Sequence, residues 1–336
     1  MKKNKFWTNK NVFITGINGF VGGNLAKLLL SKGANVYGLI KTYDHTSLIF
    51  YSNMAEEITL INGNLVDKEL LKTFFIENEI DICYHLAAQV EVGVAAKYPY
   101  STWETNVRGT YSLLEAIRES EKVLSAIVIA STDKAYGEYP PEKMPYKENY
   151  PLLPKFPYDT SKACADLIAQ SYSSEVFNMP IVITRFANIY GPGQLNFSAL
   201  IPDAIYCALG YKKFIPRSDG SSIRDFLFVE DVSSLYALIA ESLSKENSDL
   251  KGQVFNAGTK KGISVRQVIE KIYSKLDKNN LLDKILLAFN KNEETLGEIN
   301  TQLMDYDKVE KHFGWKPSTE FDHGLNQTIE WYTKYF

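Results

Sequence analysis

The segment Asn11-Val-Phe-Ile-Thr-Gly-Ile-Asn-Gly-Phe-Val-Gly22 decides the fold class of this 336-residue chain. Its β-branched start, Asn11 to Thr15, predicts a buried strand, and the apolar stripe after it predicts an amphipathic helix. Between them, Gly16, Gly19 and Gly22 allow a tight turn, close approach of the backbone to a pyrophosphate and close helix packing. The helix N-terminus favours such an anion. An ordinary strand–helix turn is the alternative, but this context favours a dinucleotide-binding turn.

Strands and helices alternate through the first half of the chain. Short β-branched runs predict strands, and amphipathic stretches predict helices between them. The predicted strands after the first are 35–40, 58–61, 80–86, 126–130 and 181–184, and the predicted helices are 68–78, 102–120 and 158–177. Short turns between such elements imply parallel strands with right-handed crossovers. The expected fold class is therefore α/β, a Rossmann-like doubly wound parallel sheet.

The second half of the sequence is less regular. Pro, Gly and Asn collect at 191–196 and 216–222, which predicts binding loops. Residues 254–258 predict a strand that returns to the first domain. We expect an NAD(P)-binding Rossmann domain of residues 1–190 with a return segment of about 226–258, and a smaller, interleaved α/β substrate-binding domain of residues 191–225 and 259–336.

The composition limits the possible partners. Lys and Arg number 37 against 40 Asp and Glu, so the net charge of −3 gives no field that favours nucleic acid or an anionic membrane. No stretch approaches the ~20 apolar residues of a membrane span. The widely spaced Cys83, Cys164 and Cys207 indicate free thiols in a reducing compartment. We therefore expect a cytoplasmic protein with no nucleic-acid or membrane partner, and four scattered His residues predict no metal site.

A second constellation indicates chemistry. Tyr158 and Lys162 are four residues apart, so one helical face presents both. A neighbouring ammonium and a bound nicotinamide cation both favour the phenolate, which is a usable base. Thr132, Asp133 and Lys134 follow the strand 126–130, and ligands bind at such strand ends. A surface helix pair is the alternative for Tyr158 and Lys162, but this position favours catalysis.

The glycine spacing and the Tyr-x-x-x-Lys pair resemble the extended short-chain dehydrogenase/reductase superfamily. Within it the chain resembles the sugar-nucleotide 4,6-dehydratases, closest to the CDP-glucose 4,6-dehydratases, because Asp133 and Lys134 follow Thr132. Simple epimerases carry small or apolar residues there, and other dehydratases most often carry Asp-Glu. Residues 190–194 depart from the CDP-glucose form. The matching stretches are 6–7, 16–22, 85–89, 105–109, 132–134, 158–162, 185–188, 200–202, 223–225, 255–258 and 313–317.

The resemblance implies conversion of a nucleoside diphosphate hexose to its 4-keto-6-deoxy form. Thr132 would orient the 4-hydroxyl, Tyr158 would take its proton while hydride leaves carbon 4, and Lys162 would hold the phenolate. A neutral Lys134 would remove the carbon-5 proton, and a protonated Asp133 would donate to the departing 6-hydroxyl. The hydride would then return to carbon 6. For Lys134 the alternative is a solvated loop cation.

The resemblance also implies a tightly bound NAD that is regenerated within the cycle, with NADP left open. The second strand ends at Lys41 with no acid before Asp44, so Lys41 either meets a 2′-phosphate or is solvated. Asn64 stands where the family usually has an acid near adenine. The expected cofactor contacts are Gly16, Asn18, Gly19, Phe20, Val21, Gly22, Lys41, Asn64, Leu65, Leu86, Ala87, Ala88, Gln89, Asn106, Tyr158 and Lys162.

The diphosphate of the substrate needs local cations in a chain with only six arginines. Arg224 matches the phosphate-binding Arg of the family, with a salt bridge to Asp225 or Glu230 as its structural alternative. Arg217 precedes it in the same loop, and for Arg185 we expect a structural role. The expected substrate contacts are Thr132, Asn188, Asn196, Arg217, Arg224 and Asn256, the last by bonding the substrate loop.

The resemblance implies further properties at the level of the whole protein. The helices 102–120 and 158–177 resemble those of the superfamily's four-helix dimer interface, so we expect a homodimer. Deoxysugar biosynthesis for lipopolysaccharide or capsule is the expected context. Two other functions stay open: an epimerase of the same superfamily, and a catalytically inactive, redox-sensing member.

Overall fold

The structure is a computed structural model that describes residues 5–289 and 299–336. Its strands in chain order are β1 Asn11–Thr15, β2 Asn35–Ile40, β3 Ile58–Asn62, β4 Ile82–His85, β5 Ala126–Ala130, β6 Ile181–Phe186, β7 Asn188–Tyr190, β8 Ile223–Phe228, β9 Val254–Ala257, β10 Gly262–Ser264 and β11 Thr301–Gln302. Its α-helices are α1 Phe20–Ser31, α2 Leu48–Tyr51, α3 Lys68–Glu77, α4 Val92–Lys97, α5 Pro99–Trp103, α6 Gly109–Glu119, α7 Pro157–Ser173, α8 Leu200–Ala208, α9 Val229–Leu243, α10 Val265–Lys275, α11 Asn279–Phe289, α12 Asp307–Phe313 and α13 Phe321–Tyr335.

A seven-stranded sheet has the order β3-β2-β1-β4-β5-β6-β9, and its pairings from β3 to β6 are parallel. This confirms the Rossmann-like doubly wound class. Because the strand order reverses beside β1, the carboxyl ends of β1 and β4 border the crevice where such sheets bind ligands. Thr15 and His85 lie at those two ends, side by side in the register.

The chain forms two compact units. One contains the residues up to Ala135, Leu152–Arg185 and Val232–Phe255. The other contains Tyr136–Pro151, Phe186–Asp231 and the chain from Asn256 onward. The assignment of the dinucleotide to one unit and of the sugar nucleotide to the other stays a prediction.

The core of the first unit lies against the faces of the sheet. Phe13 of β1 packs on Phe74 and Phe75 of α3, with ring centroids 4.6 and 5.4 Å apart. Ile127 and Ile129 of β5 are fully buried in the same cluster. Apolar packing on the sheet therefore fixes the strand ends that carry the site.

The predicted helix 102–120 is confirmed as a continuous helical stretch, but it is not α-helical throughout. It begins at Pro99, and a π-helical turn, Glu104–Arg108, separates α5 from α6. The Thr110 hydroxyl donates to the carbonyl oxygen of Asn106 at 2.6 Å, which occupies an acceptor of the ordinary helical ladder. Such turns often mark functional positions, and this one carries Asn106.

The second unit is built on a smaller sheet in which β8 pairs with β7, β10 and β11. β7 and β11 are parallel to β8, and β10 is antiparallel. Phe226 and Phe228 of β8 pack with Tyr190 of β7 and with Leu325 of α13 in one apolar cluster. Over the two described ranges, no helix combines the length and apolar character that a membrane crossing requires.

Candidate active site

The turn after β1 has no room for a side chain at Gly16 or at Gly22. Gly16 has φ +75°, and a Cβ there would lie 2.7 Å from the backbone nitrogen of Ala87. A Cβ on Gly22 would overlap the carbonyl oxygen of Gly16. The Gly19 N–H donates to that same carbonyl at 2.9 Å and closes the turn before Phe20 and Val21 begin α1. The turn is therefore a bare-backbone cradle at a helix N-terminus, which fits a pyrophosphate.

Asn18 lies within this turn and offers an acceptor. Its amide nitrogen donates to the carbonyl oxygen of Thr42 at 2.9 Å. Its Oδ1 is buried and has no hydrogen-bond donor among the described residues. Buried acceptors are normally satisfied, so this oxygen fits a hydroxyl of a bound ligand.

Of three other predicted cofactor positions, two are exposed and one is buried. Lys41, at the end of β2, is exposed. Asn64 is also exposed, and its Oδ1 accepts from the Val66 N–H at 3.3 Å, whereas the neighbouring Leu65 is buried.

The loop Leu86-Ala-Ala-Gln89 follows β4 and is held from both sides. The Ala87 N–H donates to the Thr15 hydroxyl at 3.3 Å. The Asn106 side chain accepts from the Gln89 N–H at 2.7 Å and donates to the Gln89 carbonyl at 3.0 Å and to Ser161 Oγ at 2.9 Å. Asn106 therefore fixes the backbone of the loop that includes Ala88, a role the sequence did not reveal.

His85 is a further residue that sequence reasoning missed. Its ring nitrogens lie 2.8 Å from the Thr15 hydroxyl and 3.0 Å from the Thr110 hydroxyl, and the side chain is buried. Burial, together with the nearby Lys162, lowers the pKa of His85 to about 3, so the ring is neutral. The imidazole links β1, β4 and α6 beneath the glycine turn.

Tyr158 and Lys162 lie on α7, as their spacing predicted, and both are buried. Lys162 Nζ donates to the Ala130 carbonyl at 2.6 Å. Burial lowers the pKa of Lys162 to about 8. Burial also raises the pKa of Tyr158, and the Thr132 hydroxyl opposes this shift. The expected preference for the phenolate is thus absent from the protein by itself, because desolvation dominates.

Asp133 and Lys134 open the 3-10 turn after β5. The Thr132 hydroxyl donates to Asp133 Oδ1 at 3.0 Å, and the Lys134 N–H donates to the Thr132 hydroxyl at 3.3 Å. Asp133 is 3% exposed, and Lys134 is half-buried. The structure therefore brings the predicted proton-transfer residues and Tyr158 into one cluster around Thr132.

A fourth ionisable side chain, Asp159, interacts electrostatically with Asp133 and Lys134 and was not predicted. It is 4% exposed and lies in the first turn of α7. Burial is the main reason that the pKa of Asp159 is raised to about 6; the charge of Lys134 opposes the rise and that of Asp133 adds to it. Its only signal in the sequence is a carboxylate directly after Tyr158.

The predicted substrate residues of the second unit gather around β8. Arg224 is mostly buried, and its Nη1 donates to the carbonyl oxygens of Ile223 at 2.9 Å and Asn300 at 3.4 Å. The Asn188 amide donates to the Asp225 carbonyl at 3.3 Å. Arg217 is exposed in the loop before β8.

Asn196 and Asn256 have local partners. Asn196 Oδ1 accepts from the N–H and hydroxyl of Ser198 at 3.0 and 2.6 Å. Asn256 is fully buried, accepting from the Tyr136 hydroxyl at 2.8 Å and donating to the Tyr146 carbonyl at 3.1 Å. Asn256 thus ties down the segment 136–151.

Arg185 and Asp225 have structural roles. In the first unit Arg185 pairs with Asp166 at 2.7 Å, and both are buried, which confirms the structural role expected for Arg185. In the second unit the Asp225 carboxylate accepts from the backbone of Thr259, Lys260 and Met304 at 2.9 to 3.2 Å.

Comparison with known proteins gives the family. A model of the family described as GDP-mannose 4,6 dehydratase matches residues 13–328. The dTDP-glucose 4,6-dehydratase of Escherichia coli is 28% identical over 348 residues, covering 96% of this chain and 92% of that protein. A crystal structure of dTDP-glucose 4,6-dehydratase from Bacillus anthracis in complex with NAD is 27% identical, with a TM-score of 0.81 and 97% of each chain covered.

A longer relative also matches nearly the whole of this chain. It is the trifunctional UDP-glucose 4,6-dehydratase/UDP-4-keto-6-deoxy-D-glucose 3,5-epimerase/UDP-4-keto-L-rhamnose reductase of Arabidopsis thaliana, 29% identical over 98% of this chain. The match covers 48% of that protein, so the chain spans about half the length of this relative. Because the family model matches nearly the whole chain, from β1 to α13, this protein belongs to the GDP-mannose 4,6-dehydratase family.

Proposed function

We propose that this chain is a sugar-nucleotide 4,6-dehydratase with tightly held NAD, which converts a nucleoside diphosphate hexose to its 4-keto-6-deoxy form. The observation that carries the proposal is the cluster in which the Thr132 hydroxyl donates to the buried Asp133 carboxyl, while the buried Tyr158 and Lys162 lie one helical turn apart on α7. Oxidation needs a base at the 4-hydroxyl, and elimination needs an acid at the 6-hydroxyl. One cluster supplies both.

The residues that would hold the dinucleotide are the glycine turn, Asn18 and the Leu86–Gln89 loop. The turn is open to a pyrophosphate, and the buried Oδ1 of Asn18 offers an acceptor to a hydroxyl. When bound, the nicotinamide accepts hydride from carbon 4 and gives it back at carbon 6. Lys41 is the proposed neighbour of the adenosine ribose. NAD is the proposed dinucleotide because the Bacillus anthracis relative was crystallised with it.

Oxidation at carbon 4 is the proposed work of Tyr158, Thr132 and Lys162. Tyr158 accepts the hydroxyl proton, and Thr132, whose hydroxyl lowers the pKa of the phenol, aligns the oxygen. Lys162 is held by the Ala130 carbonyl. Its positive charge, with the positive charge that the dinucleotide brings, offsets the burial that raises the pKa of Tyr158.

Water elimination is the proposed work of the acidic end of the cluster. Asp133 is buried beside Thr132, and burial favours the protonated carboxyl that an acid catalyst needs. Its proton goes to the departing 6-hydroxyl. Lys134 is the residue proposed to lie beside carbon 5 of the sugar, where the proton is removed.

The proposal also concerns which nucleotide the hexose substrate carries. Asp133 and Lys134 favour CDP-glucose by resemblance, whereas the Escherichia coli and Arabidopsis relatives are named for dTDP-glucose and UDP-glucose. Arg224 and Arg217 are the proposed diphosphate ligands, with amide donors from Asn188 and Asn196. Asn256 acts in this proposal through the segment that it ties down, because its side chain is fully buried.

A homodimer in the cytoplasm is the proposed state, serving deoxysugar synthesis for lipopolysaccharide or capsule. Large apolar side chains are exposed on the helices expected at the interface: Tyr100 on α5, Tyr111 on α6 and Leu167 on α7. Burial of exposed apolar side chains favours association. Size-exclusion chromatography with light scattering tests the dimer.

The test of the activity is incubation of the purified protein with CDP-, dTDP-, UDP- and GDP-hexoses, followed by mass spectrometry. The proposal expects loss of one water from one of them. An epimerase would leave the mass unchanged, and an inactive member would leave every substrate intact. Denaturing the protein releases the bound dinucleotide, whose mass separates NAD from NADP.

A further inference from the structure

The end of β2 lacks the acidic side chain that commonly accepts a hydrogen bond from the adenosine ribose of NAD. β2 ends at Ile40, and the first carboxylate after it is that of Asp44. Asp44 is exposed, and its Oδ1 accepts from the N–H and the hydroxyl of Thr46 at 3.0 and 2.6 Å. A different acceptor would therefore have to bind the ribose 2′-hydroxyl in this chain.

Asn18 brings an acceptor to this place from the glycine turn. Its amide nitrogen donates to the carbonyl oxygen of Thr42 at 2.9 Å, so the side chain connects the turn with the segment that follows β2. A carbonyl oxygen only accepts hydrogen bonds, so the nitrogen of the Asn18 amide faces Thr42 and the amide oxygen faces away from it. This contact fixes the orientation of the amide.

The Oδ1 atom of Asn18 is buried, and no described residue donates a hydrogen bond to it. Folded proteins leave few buried acceptors without a donor, because such an atom has lost its bonds to water and gained none in return. A dinucleotide whose pyrophosphate lies on the glycine turn has its adenosine ribose at the end of the second strand. Asn18 connects these two places, so the ribose is the natural donor.

A second buried oxygen in the same region supports a polar ligand. Ser47 is 3% exposed, and its hydroxyl has no hydrogen-bond partner among the described residues. The next residue, Leu48, packs against the start of α1, where a Cβ on Gly23 would lie 3.4 Å from its side chain. The glycine turn and the connection after β2 thus each contain a buried polar atom that lacks a partner.

We propose that Asn18 selects NAD against NADP by accepting a hydrogen bond from the 2′-hydroxyl of the adenosine ribose, in place of the absent acid. The assignment rests on the proposed NAD-dependent function and deepens it. It gives the amide oxygen a donor and leaves the bond from the amide nitrogen to Thr42 intact.

The chemistry of the 2′ position explains the selection. NAD has a hydroxyl there, which can donate to Asn18 Oδ1. NADP has a phosphate there, which is mostly doubly ionised at neutral pH and offers acceptor oxygens. Bound NADP would place a negative phosphate against the negative end of the Asn18 amide, and the buried oxygen would stay without a donor. The selection therefore depends on donor and acceptor character.

Lys41 acts in the opposite direction, because an ammonium attracts a 2′-phosphate. Its side chain is exposed, so water and salt screen this attraction. The Asn18 oxygen is buried, and no water compensates it when NADP fails to donate. We therefore expect the effect of Asn18 on dinucleotide choice to exceed that of Lys41.

Exchange of labelled dinucleotides into the purified holoenzyme measures the selection without turnover. The protein is incubated with equal amounts of ¹³C-labelled NAD and NADP, washed and denatured, and mass spectrometry gives the ratio of the two labelled dinucleotides released. Asn18→Ala should lower the NAD-to-NADP ratio by at least about tenfold. Asn35→Ala is the matched control, because Asn35 is an exposed residue at the other end of β2 and donates to Asn11 Oδ1 at 2.9 Å. It should keep the wild-type ratio.

An NAD analogue with 2′-deoxyadenosine tests for direct contact. The wild type should retain NAD about tenfold better than the analogue, because only NAD donates to Asn18 Oδ1. Asn18→Ala should retain the two equally. If Asn18 only supported the fold of the turn, the variant would weaken both ligands and still prefer NAD over the analogue by the wild-type margin, which would overturn the proposal.

Two further results would also overturn it. One is equal retention of NAD and the deoxy analogue by the wild type, a comparison that needs no variant. The other is a Lys41→Gln variant that changes the NAD-to-NADP ratio more than Asn18→Ala does. We expect Lys41→Gln to raise this ratio by less than about threefold, because the ammonium is exposed.

Failure of the broader function has a different signature. If the wild type removes water from no sugar nucleotide but retains the dinucleotides in the expected ratios, the dehydratase proposal fails and the role of Asn18 stands. If the wild type is an active dehydratase that retains NAD and its deoxy analogue equally, only the role of Asn18 fails.

Discussion

The Thr132 hydroxyl donates a hydrogen bond to Asp133 Oδ1 at 3.0 Å. The same hydroxyl lowers the pKa of the Tyr158 phenol, against the larger effect of burial. A residue expected to orient the substrate for oxidation therefore also contacts the acid expected to drive elimination. The two stages of the proposed reaction meet at one side chain, and their separate residues can be tested separately.

Asp133→Asn should separate the stages. Without a carboxyl proton at the departing 6-hydroxyl, we expect water loss to fall by about 10² to 10⁴-fold. Oxidation at carbon 4 should continue, because Tyr158, Thr132 and Lys162 are unchanged. The measurement is single-turnover product mass together with the absorbance of the reduced nicotinamide. Elimination at the wild-type rate would show that Asp133 is not the acid.

Gly22→Ala should abolish retention of the dinucleotide. A Cβ at this position overlaps the Gly16 carbonyl, so the turn has to open and loses its shape for a pyrophosphate. The measurement is the amount of dinucleotide released from purified protein on denaturation. Gly93→Ala in α4 is the matched control, because its Cβ meets nothing within 4 Å. Equal retention of the dinucleotide by the two variants would contradict the proposal that the glycine turn holds its pyrophosphate.

The sequence predicted the local motifs and missed the residues that support them across the fold. The four-residue spacing predicts that Tyr158 and Lys162 share one face of a helix. The glycine pattern predicts a turn that has no side chains at those positions. The roles of His85 and Asn106 depend on partners far along the chain, Thr15, Thr110 and Ser161. No local sequence pattern predicts contacts between residues so far apart in the chain.

Local patterns also misjudged two features that tertiary context decides. A periodic apolar pattern cannot show that the Thr110 hydroxyl takes a helix carbonyl and helps make a π turn. Nor can it show how deeply Tyr158 is buried, which is why its pKa is raised where the sequence favoured the phenolate.

His85 should make the fold sensitive to acid. Its pKa is lowered to about 3 in the folded protein, so below its ordinary value near 6.5 the unfolded chain binds a proton that the folded protein does not. Stability conferred by the neutral ring is present above that pH and is lost as the pH falls. We expect a loss of about 2 kcal/mol between neutral pH and roughly pH 5.

Urea unfolding of the wild type and of His85→Asn at both pH values measures this effect. The variant should be less stable at neutral pH, because two threonine hydroxyls lose their partner, and the gap between the two proteins should narrow in acid. An equal pH dependence for both proteins would show that His85 titrates as it does in the unfolded chain.

Arg217→Gln should weaken substrate binding without weakening the fold. The side chain is exposed in the loop before β8, and losing one cation near a diphosphate should raise KM by about tenfold. Lys213→Gln is the matched control, since Lys213 is an exposed cation in the same segment. If the two variants raise KM equally, the effect is general charge and Arg217 is not a ligand.

The most direct test of the central claim is the mass of the product that the purified protein forms from a panel of nucleoside diphosphate hexoses. The account predicts that one of them loses one water. In the same assay, the Asp133→Asn variant should form the dehydrated product about 10² to 10⁴-fold more slowly. A product of unchanged mass, or no turnover of any sugar nucleotide, would contradict it.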